Sequence, residues 1–433
     1  MKSLRTRWRT AFVLAAAATL VATGCSAEKK NSPGSAGSQG GAPPAAKTAP
    51  GVTQDSIKVG IAYPDLSAVK QYLNVDQGDY EATYNALIKK INDAGGINGR
   101  KIVPVFGAIN VASPAAAQET CVKLTQDAKV FAVVGTFNAN EPLCYVQTNK
   151  TAVVGGPLTS KNYAQAQAPW FSDQRGGDEV GDAMALFNAD NALAGKKVAV
   201  VGVVNEQSLV SDTVIPALQK IGVTPVATGI LDASFRDAAA VAQQTGVFIQ
   251  KFQAAGADTV VVVGGMGGEF PKQLAKTDYR PRLLFTSSSS ASIYTGDANT
   301  RDLTPVTNAA ALGPKTTWNE PTLQDCVATV ESAIPALKGT LSVDPETVPA
   351  GKPTPQVSTQ TACRALTLFK AIADKAGKDL NYETFQNAGF GLGPLQLPGN
   401  ADKANYSRET PHGAIPMRLA VFDPAKRKFV ATS

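Results

Sequence analysis

Residues 92–102 read Asn-Asp-Ala-Gly-Gly-Ile-Asn-Gly-Arg-Lys-Ile, which is typical of a helix end followed by a tight turn and a strand start. Gly95 and Gly96 supply backbone positions that tolerate positive φ, and the pair Asn98-Gly99 favours a turn. These glycines therefore have a structural explanation that requires no ligand. The segment predicts a helix before residue 95 and a strand after residue 100.

Strands and helices alternate on both sides of this segment. A strand is predicted at 57–62, and an amphipathic helix at 78–94 has an apolar face of Tyr80, Tyr84, Leu87, Ile88 and Ile91. Further predicted elements are a strand at 101–106, a helix at 114–127, a strand at 130–134, a helix at 140–149 and a strand at 152–155. A second series after Phe171 has helices at 179–191, 209–222, 238–255 and 269–276 and strands at 197–203, 225–230, 259–263 and 282–286. Two such series predict an α/β protein with two doubly wound parallel-sheet lobes.

The pattern changes after residue 286. Residues 287–292 are predicted to form a polar loop, and residues 306–312 a strand that returns to the first lobe. The remaining predicted elements are helices at 321–336 and 355–376 and strands at 392–397, 417–421 and 429–430.

The composition is that of an ordinary globular protein, and it argues against a nucleic-acid-binding site and a metal site. The 433 residues are 44% hydrophobic and 18% charged, which is enough chain for two domains. The net charge of +6 comes from the first fifty residues, because residues 51–433 contain 34 basic and 34 acidic residues. A nucleic-acid-binding groove is therefore not expected. A single histidine, His412, and cysteines without CxxC spacing argue against a metal centre.

The first 24 residues have the pattern of an export signal. Basic residues come first, an apolar run at 11–21 is too short to span a bilayer, and Ala22-Thr23-Gly24 precedes Cys25. Small residues directly before a cysteine resemble a bacterial lipobox, in which the cysteine sulfur is acylated and becomes the first mature residue. Residues 1–24 are thus predicted to be a lipoprotein signal peptide and Cys25 the lipidation site. The alternative is an ordinary signal peptide with an incidental cysteine. Residues 25–50, rich in Ser, Gly, Ala and Pro, predict a flexible tether.

Several segments resemble the type I periplasmic binding proteins of the leucine/isoleucine/valine-binding family. The most specific is Asn-Asp-Ala-Gly-Gly-Ile-Asn-Gly-Arg at 92–100. Gly-Val-Thr-Gln-Asp-Ser-Ile-Lys-Val-Gly at 51–60, Ala-Val-Val-Gly at 132–135, Pro-Trp-Phe-Ser at 169–172 and Ala-Gly-Ala-Asp-Thr-Val at 255–260 fall where the family has similar segments. The resemblance extends from about residue 51 to residue 433.

The resemblance implies an architecture and a role. Lobe 1 would comprise residues 51–172 and 309–399, and lobe 2 residues 173–308 and 400–433. The chain would cross between the lobes near Ser172, Asn308 and Asn400, and these three strands would form the hinge. The implied protein is a monomeric substrate-binding lipoprotein that closes on a small molecule and delivers it to the permease subunits of an ABC transporter. Its lipid would anchor it to the outer face of the bacterial cytoplasmic membrane.

Candidate ligand-binding residues lie on loops after the strands, because ligands of open α/β sheets bind at the carboxyl ends of the strands. In leucine-binding relatives, the loops corresponding to 136–140 and 156–160 hold the ligand's carboxylate and amine. The alternative for Asn138, Asn140 and Thr159 is that they cap the helices that follow. The second lobe has Asn205-Glu206-Gln207-Ser208 where amino-acid-binding relatives have a Tyr-Gly pair. We therefore expect a small polar solute, an amino acid or a related compound, with branched-chain amino acids as what the resemblance implies by default. The candidate residues are Phe137, Asn138, Asn140, Pro157, Thr159, Asn205, Glu206, Ser208, Met266 and Glu269.

Four cysteines remain after Cys25: Cys121, Cys144, Cys326 and Cys363. An even number in an exported chain suggests disulfides, for which three pairings are possible. Local pairing, Cys121 with Cys144 and Cys326 with Cys363, is the simplest geometry. The leucine-binding relatives have a disulfide in the region of the first pair, which supports that pair more than the second. The alternative is buried free thiols.

The sequence shows no catalytic constellation. It has no G-x-S-x-G elbow, and the serines at 287–290 have no histidine nearby in the sequence. The glycine run at 264–268 does not follow the order G-x-G-x-x-G, so no dinucleotide or other cofactor is expected. We therefore expect a binding protein and not an enzyme. The alternatives are a ligand-sensing protein of the same fold that signals to a membrane partner, and a secreted hydrolase that uses a carboxylate pair.

Overall fold

A computed structural model describes residues 49–68, 76–111, 113, 115–138, 140–174, 177–190, 192–296, 302–345, 348 and 352–432. The predicted signal peptide, the predicted lipidation site Cys25 and the tether up to residue 48 lie outside these residues.

Strands and helices alternate through most of the described chain. The strands are β1 (Ser56–Asp65), β2 (Lys101–Asn110), β3 (Ala132–Gly135), β4 (Ala152–Gly155), β5 (Trp170–Phe171), β6 (Val198–Val203), β7 (Ala227–Leu231), β8 (Thr259–Val262), β9 (Arg282–Phe285), β10 (Ala310–Pro314), β11 (Gly393–Leu395), β12 (Ala404–Tyr406), β13 (Met417–Asp423) and β14 (Lys428–Ala431). The α-helices are α1 (Tyr80–Asp93), α2 (Ala116–Val122), α3 (Ser160–Tyr163), α4 (Gly177–Ala183), α5 (Ile215–Lys220), α6 (Ala238–Ala254), α7 (Met266–Leu274), α8 (Ser288–Thr295), α9 (Pro321–Ala333), α10 (Gln356–Ala376) and α11 (Tyr382–Phe390). Three π-helical segments add to these: Lys123–Asp127, Cys144–Thr148 and Leu209–Val214.

The first lobe is built on a five-stranded sheet of order β2-β1-β3-β4-β5. All its strand pairs are parallel, so the carboxyl ends of the strands meet at one edge. Adjacent residues of a strand face opposite sides. Val134 and Val154 belong to one apolar core and Val133 and Val153 to another, and all four are fully buried. A sheet buried on both faces explains why its strands are continuous apolar runs.

The second lobe is built on a seven-stranded sheet of order β14-β13-β10-β9-β8-β6-β7. Strands β6 to β10 are parallel, whereas β13 pairs antiparallel with β10 and with β14. Val260 and Val262 face one core of this sheet, and Val261 and Val263 face the other. The predicted α/β architecture of two parallel-sheet lobes is confirmed.

The segment at 92–102 forms the predicted helix end, turn and strand start, and it also contacts the end of α10. Gly96 has φ of +74°, and a Cβ there would collide with the carbonyl oxygen of Arg100. Asn98 Nδ2 donates to the carbonyl oxygens of Ala373 and Asp374 at 3.1 and 3.2 Å, near the end of α10. The most recognisable motif of the chain therefore serves the fold.

Both predicted disulfides are present, and both lie in the first lobe. Cys121, in α2, is bonded to Cys144 with 6.4 Å between the Cα atoms. Cys326, in α9, is bonded to Cys363, in α10, with 6.2 Å between the Cα atoms. Cys121 belongs to the core on one face of the five-stranded sheet and Cys363 to the core on the other. Each face of this sheet is thus covalently reinforced.

Two crossovers lie later in the chain than the sequence analysis expected. β10 pairs in parallel with β9, so it belongs to the second sheet and does not return to the first lobe. The chain therefore leaves the second sheet after Pro314, not near Asn308. Ala404, Tyr406 and Ile415 belong to the first core, so the third passage follows Ile415, not Asn400. An apolar run identifies a strand but not the sheet in which it pairs.

The segment after β9 is also corrected. Residues 287–292 were expected to form a polar loop, but α8 begins at Ser288. The Ser287 side chain caps it by accepting the N–H of Ser290 at 3.4 Å, and Ala291 and Tyr294 are buried against the second core. Tertiary packing of these two residues outweighs the preference of serine for turns.

The three crossing segments contact one another. The N–H of Ser172 donates to the carbonyl oxygen of Pro411 at 3.1 Å, and the Tyr406 hydroxyl donates to the carbonyl oxygen of Ser172 at 2.9 Å. The N–H of Ala401 donates to the carbonyl oxygen of Lys315 at 2.9 Å, and Lys315 forms an ion pair with Asp402 at 2.8 Å. These contacts join the lobes along one side.

Candidate functional site

The first-lobe loops at the carboxyl ends of β3 and β4 hold one another in place. Phe137 is 3% exposed and packs edge-on against Tyr145, with 5.4 Å between ring centroids. Thr159 Oγ1 accepts the N–H of Asn162 at 3.2 Å and so caps α3, while Asn162 Nδ2 donates to Asn140 Oδ1 at 2.8 Å. The capping alternative therefore describes Thr159, and Phe137 is a core residue.

The remaining first-lobe candidates lie at the surface of these loops. Asn138 is exposed and Pro157 is half-buried. The N–H of Asn138 donates to Glu141 Oε2 at 2.8 Å. Burial raises the pKa of Glu141, and its hydrogen bonds with Asn138 act in the opposite direction.

The second-lobe loop after β6 presents a carboxylate. Asn205 and Ser208 are exposed, whereas Glu206 is half-buried and its Oε2 accepts the N–H of Gly265 at 2.9 Å. Gly264 has φ of +44°, and a Cβ there would collide with the Glu206 carboxylate. Burial raises the pKa of Glu206, against the opposing effect of the Gly265 hydrogen bond. The glycine run thus makes room for an acidic side chain, not for a phosphate.

Two second-lobe candidates are placed elsewhere. Met266 is fully buried in the second core. Glu269 forms an ion pair with Lys272 at 3.2 Å and accepts a hydrogen bond from Gln273, both on its own helix. Of the two acidic candidates in this lobe, Glu206 lies in the loop after a strand, whereas Glu269 lies within α7.

An ion pair connects the loops of the two lobes. Lys161, at the start of α3, lies 2.5 Å from Asp212 in the π-helical segment after β6. The hydrogen bond from Lys161 lowers the pKa of Asp212. This ion pair places the segments that follow the carboxyl ends of β4 and β6 next to each other.

The segment after β5 adds residues that sequence reasoning missed. Ser172 Oγ donates to the carbonyl oxygen of Gly156 at 2.6 Å, and Gln174 Nε2 donates to that of Gly135 at 3.3 Å. Asp173 between them is 2% exposed. The segment therefore lies across the ends of β3 and β4 and brings a carboxylate to the edge of the sheet. Its one sequence signal was an acidic residue directly after a buried strand.

Several buried polar atoms in this described part of the first lobe lack hydrogen-bond partners, Asp173 Oδ1 among them. Within the described ranges, the Tyr84 hydroxyl, the Thr136 hydroxyl and Arg364 Nε have none either. Arg364 Nη2 donates to the main-chain carbonyl oxygen of Asp173 at 2.6 Å. Burial raises the pKa of the Asp173 carboxyl to about 6, and the Arg364 guanidinium opposes that shift. Asp173 Oδ1 is therefore a hydrogen-bond acceptor that no residue of the described chain satisfies.

A cavity of about 450 Å³ opens at the carboxyl end of β1. The rings of Tyr63 and Tyr80 stack beside it with 5.6 Å between centroids, and the Tyr63 hydroxyl donates to Glu81 at 2.5 Å. A larger cavity of about 580 Å³ lies by Arg282 and Ala309, at the amino ends of β9 and β10. The lining of the first cavity comes from residues 63–67 and 76–81 of the first lobe and includes none of the predicted site residues.

The described residues also bear on metal binding and on membrane spanning. No group of three or more His, Cys, Asp or Glu side chains among them is arranged to hold a metal ion. In the same part of the chain, no helix is both long and apolar enough to cross a membrane.

Comparison with known proteins agrees with this geometry. The family model described as periplasmic binding protein matches residues 56–423. No curated protein sequence matches the chain significantly.

Solved structures share the fold at low sequence identity. One is a periplasmic binding protein type 1 from Bordetella pertussis Tohama I, with TM-score 0.65, 15% identity and coverage of 87% of this chain and 100% of that one. Another is a fatty acid ABC transporter substrate-binding protein from Thermomonospora curvata, with TM-score 0.61, 15% identity and coverage of 90% and 94%. A third is the leucine-binding protein LivK from Thermotoga maritima, with TM-score 0.60, 13% identity and coverage of 87% and 98%.

Proposed function

The chain belongs to the periplasmic binding protein family, and on that premise we propose that it is the substrate-binding component of an ABC importer. Its ligand is a small polar solute bound between the lobes. The observation that carries the proposal is the ion pair between Lys161 and Asp212, because it places the segments that follow the carboxyl ends of β4 and β6 next to each other. The carboxyl ends of the strands are where α/β sheets bind ligands.

The residues of the cleft support a polar ligand. Asn138, Asn140, Asn205 and Ser208 are exposed on the facing loops, and each can donate or accept hydrogen bonds. The named ligands of the structural neighbours, leucine and a fatty acid, differ widely in size. The shared fold therefore accepts different solutes, and the loops select among them.

Closure about the crossing segments completes the proposal. The lobes move as rigid bodies about the segments after Phe171, Pro314 and Ile415. These bounds replace those expected near Asn308 and Asn400. The ligand enters the open form, and the closed form presents both lobes to the permease subunits.

A thermal-shift screen tests solute binding. The panel contains amino acids, short amides, urea-like compounds, small organic acids and aromatic acids, and a true ligand at about 100 times its dissociation constant stabilises the folded state by about 2.7 kcal/mol. Small-angle scattering with that solute should show a smaller radius of gyration. A panel without any stabilising solute, or a saturating ligand without compaction, contradicts the proposal.

Substitutions locate the site. Asn138→Ala and Asn205→Ala, one on each lobe, should each weaken binding of the solute found in the screen. Gln219→Ala, an exposed change near the end of α5, is the matched control and should leave affinity unchanged. Unchanged affinity in both loop variants would place the site on other loops.

The export signal completes the proposed role, with Cys25 as the lipid attachment site on the outer face of the cytoplasmic membrane. Mass spectrometry of the membrane fraction should find a lipid on a peptide beginning at Cys25, and Cys25→Ala should release or misprocess the protein. Recovery of residues 1–24 on the mature protein would contradict the anchor.

A further inference from the structure

Two backbone N–H groups at the proposed cleft are already bound by carboxylates of the chain itself. Glu141 Oε2 accepts the N–H of Asn138 in the loop after β3, and Glu206 Oε2 accepts the N–H of Gly265 in the turn before α7. Exposed N–H groups at such turns and helix starts are common partners of a ligand carboxylate or phosphate. Each lobe therefore occupies one potential anion-binding position with its own acid.

These two carboxylates lack a compensating cation. Neither takes part in an ion pair within the described ranges, and Lys161, in the segment after β4, is paired with Asp212. Burial raises the pKa of both Glu141 and Glu206, since partial removal from water disfavours their charge. A nearby positive charge would relieve that cost.

A third carboxylate lies at the same edge of the first sheet. Asp173 is 2% exposed, and its Oδ1 has no hydrogen-bond partner among the residues that the structure describes. The Tyr84 hydroxyl, fully buried and within electrostatic range of Asp173, has none either. Arg364 donates to the main chain of Asp173 and forms no ion pair with its carboxylate within the described chain. A buried carboxylate oxygen without a donor is a binding group for a cation that carries N–H bonds.

We infer that the cleft selects solutes whose charged group is a cation, such as an ammonium or amidinium, and discriminates against solutes with a free carboxylate. Glu206 from the second lobe and Asp173 from the first supply the counter-charge. The inference rests on the proposed function and deepens it by naming the ligand class.

Four probes with the same branched alkyl group and different charge separate the possibilities. They are 3-methylbutylamine, a cation; 4-methylpentanamide, neutral; leucine, a zwitterion; and 4-methylpentanoate, an anion. Titration calorimetry on the full chain at pH 7.5 should give an affinity for the amine at least about tenfold higher than for leucine or the acid.

Variants identify the groups responsible. Glu206→Gln and Asp173→Asn should each weaken binding of the amine by about tenfold or more and leave binding of the acid no weaker. Glu331→Gln is the matched control, because Glu331 also accepts a backbone N–H, that of Leu341 at 2.9 Å, but away from the cleft. It should leave all affinities unchanged.

The binding results distinguish failure of the inferred cation selectivity from failure of the proposed solute-binding function. Leucine or the acid binding the unmodified protein as tightly as the amine overturns the inference and leaves the proposed function standing. No binding by the four probes or by the solutes of the thermal-shift panel overturns the proposed function itself. Since the probe series uses the unmodified protein, the result does not depend on the variants folding.

Discussion

The two lobes share a plan but are held together differently. The core on one face of the first-lobe sheet combines residues as far apart as Val52 and Ile415, and the first lobe contains both disulfides. The second core comes mainly from residues 199–311, with Phe422 added, and that stretch contains no cysteine. Bringing distant segments together costs more loop-closure entropy than bringing near ones together. The covalent links thus lie in the lobe whose assembly is entropically the more demanding.

Breaking the disulfides should have the largest effect and should act on one lobe. The double variants Cys121→Ser/Cys144→Ser and Cys326→Ser/Cys363→Ser should each lower the free energy of unfolding by roughly 3 to 4 kcal/mol in the chain-entropy model, for sequence separations of 23 and 37 residues.

Of the three tryptophans, Trp8 lies in the predicted signal peptide and Trp170 and Trp318 belong to the first lobe. In the protein without residues 1–24, tryptophan fluorescence therefore reports on the first lobe, whereas far-UV circular dichroism reports on both lobes. On reduction, the fluorescence transition in urea should move below the circular dichroism transition. Coincident transitions would mean that the lobes unfold as one unit.

The next effect concerns Asp173, again in the first lobe. Burial raises the pKa of its carboxyl to about 6, so the folded state binds the proton more tightly than the unfolded chain. The ionised carboxylate lowers the free energy of unfolding. This destabilisation is absent below about pH 4, grows as the pH rises to about 6 and is complete above about pH 6.

Asp173→Asn should therefore stabilise the protein at pH 7 by about 2 to 3 kcal/mol and flatten the stability profile between pH 4 and 6. Urea unfolding across that range measures it. Asp278→Asn, an exposed change in the second lobe, should alter stability by less than about 0.5 kcal/mol. A loss of stability at pH 7 in Asp173→Asn would show that the carboxylate has a stabilising partner.

Replacing a helical glycine by alanine should lower the free energy of unfolding in the first lobe and raise it in the second. A Cβ at Gly389, in α11, would collide with the ring of Phe171 in the first core, so Gly389→Ala should destabilise by about 1 to 3 kcal/mol. A methyl group at Gly246, inside α6 of the second lobe, would meet no atom within 4 Å, so Gly246→Ala should stabilise by about 0.5 to 1 kcal/mol. Thermal unfolding of both variants measures the pair. If both variants were stabilised, the side chains around Gly389 would have to move apart enough to accommodate the added methyl group.

The smallest effect concerns the contact between the lobes. The Lys161–Asp212 pair is largely exposed, and a double-mutant cycle should give a coupling of about 0.2 to 1 kcal/mol that decreases in high salt. Lys161→Ala should also shift small-angle scattering towards a larger radius of gyration. Unchanged scattering would indicate that the pair does not contribute to closure.

The sequence was sufficient where the signal is local. Apolar runs and helical periodicity predicted the parallel sheets, and the count and position of the cysteines predicted both disulfides. The helix α11 was missed although its capping box, Asn381 with Thr384, was present in the sequence. Sheet membership of β10 was misassigned because strand pairing is a tertiary property.

The site was only partly predictable for the same reason. Glu206 and Asn138 could be proposed from their positions after strands. Met266 has a similar position but turns into the core. Asp173 was missed because its burial depends on Tyr84 and Arg364, which are 89 positions before it and 191 after it in the chain. No local pattern reports such a neighbourhood.

The interleaving of the two lobes also affects how the chain is made. Ile415 completes the first core and Phe422 the second, so neither is whole until the ribosome has passed residue 415. At about 5 to 20 residues per second, the first core's Val52 waits roughly 20 to 70 seconds for its last partner. The order of the segments along the chain therefore delays completion of both cores until nearly all of the chain has been synthesised.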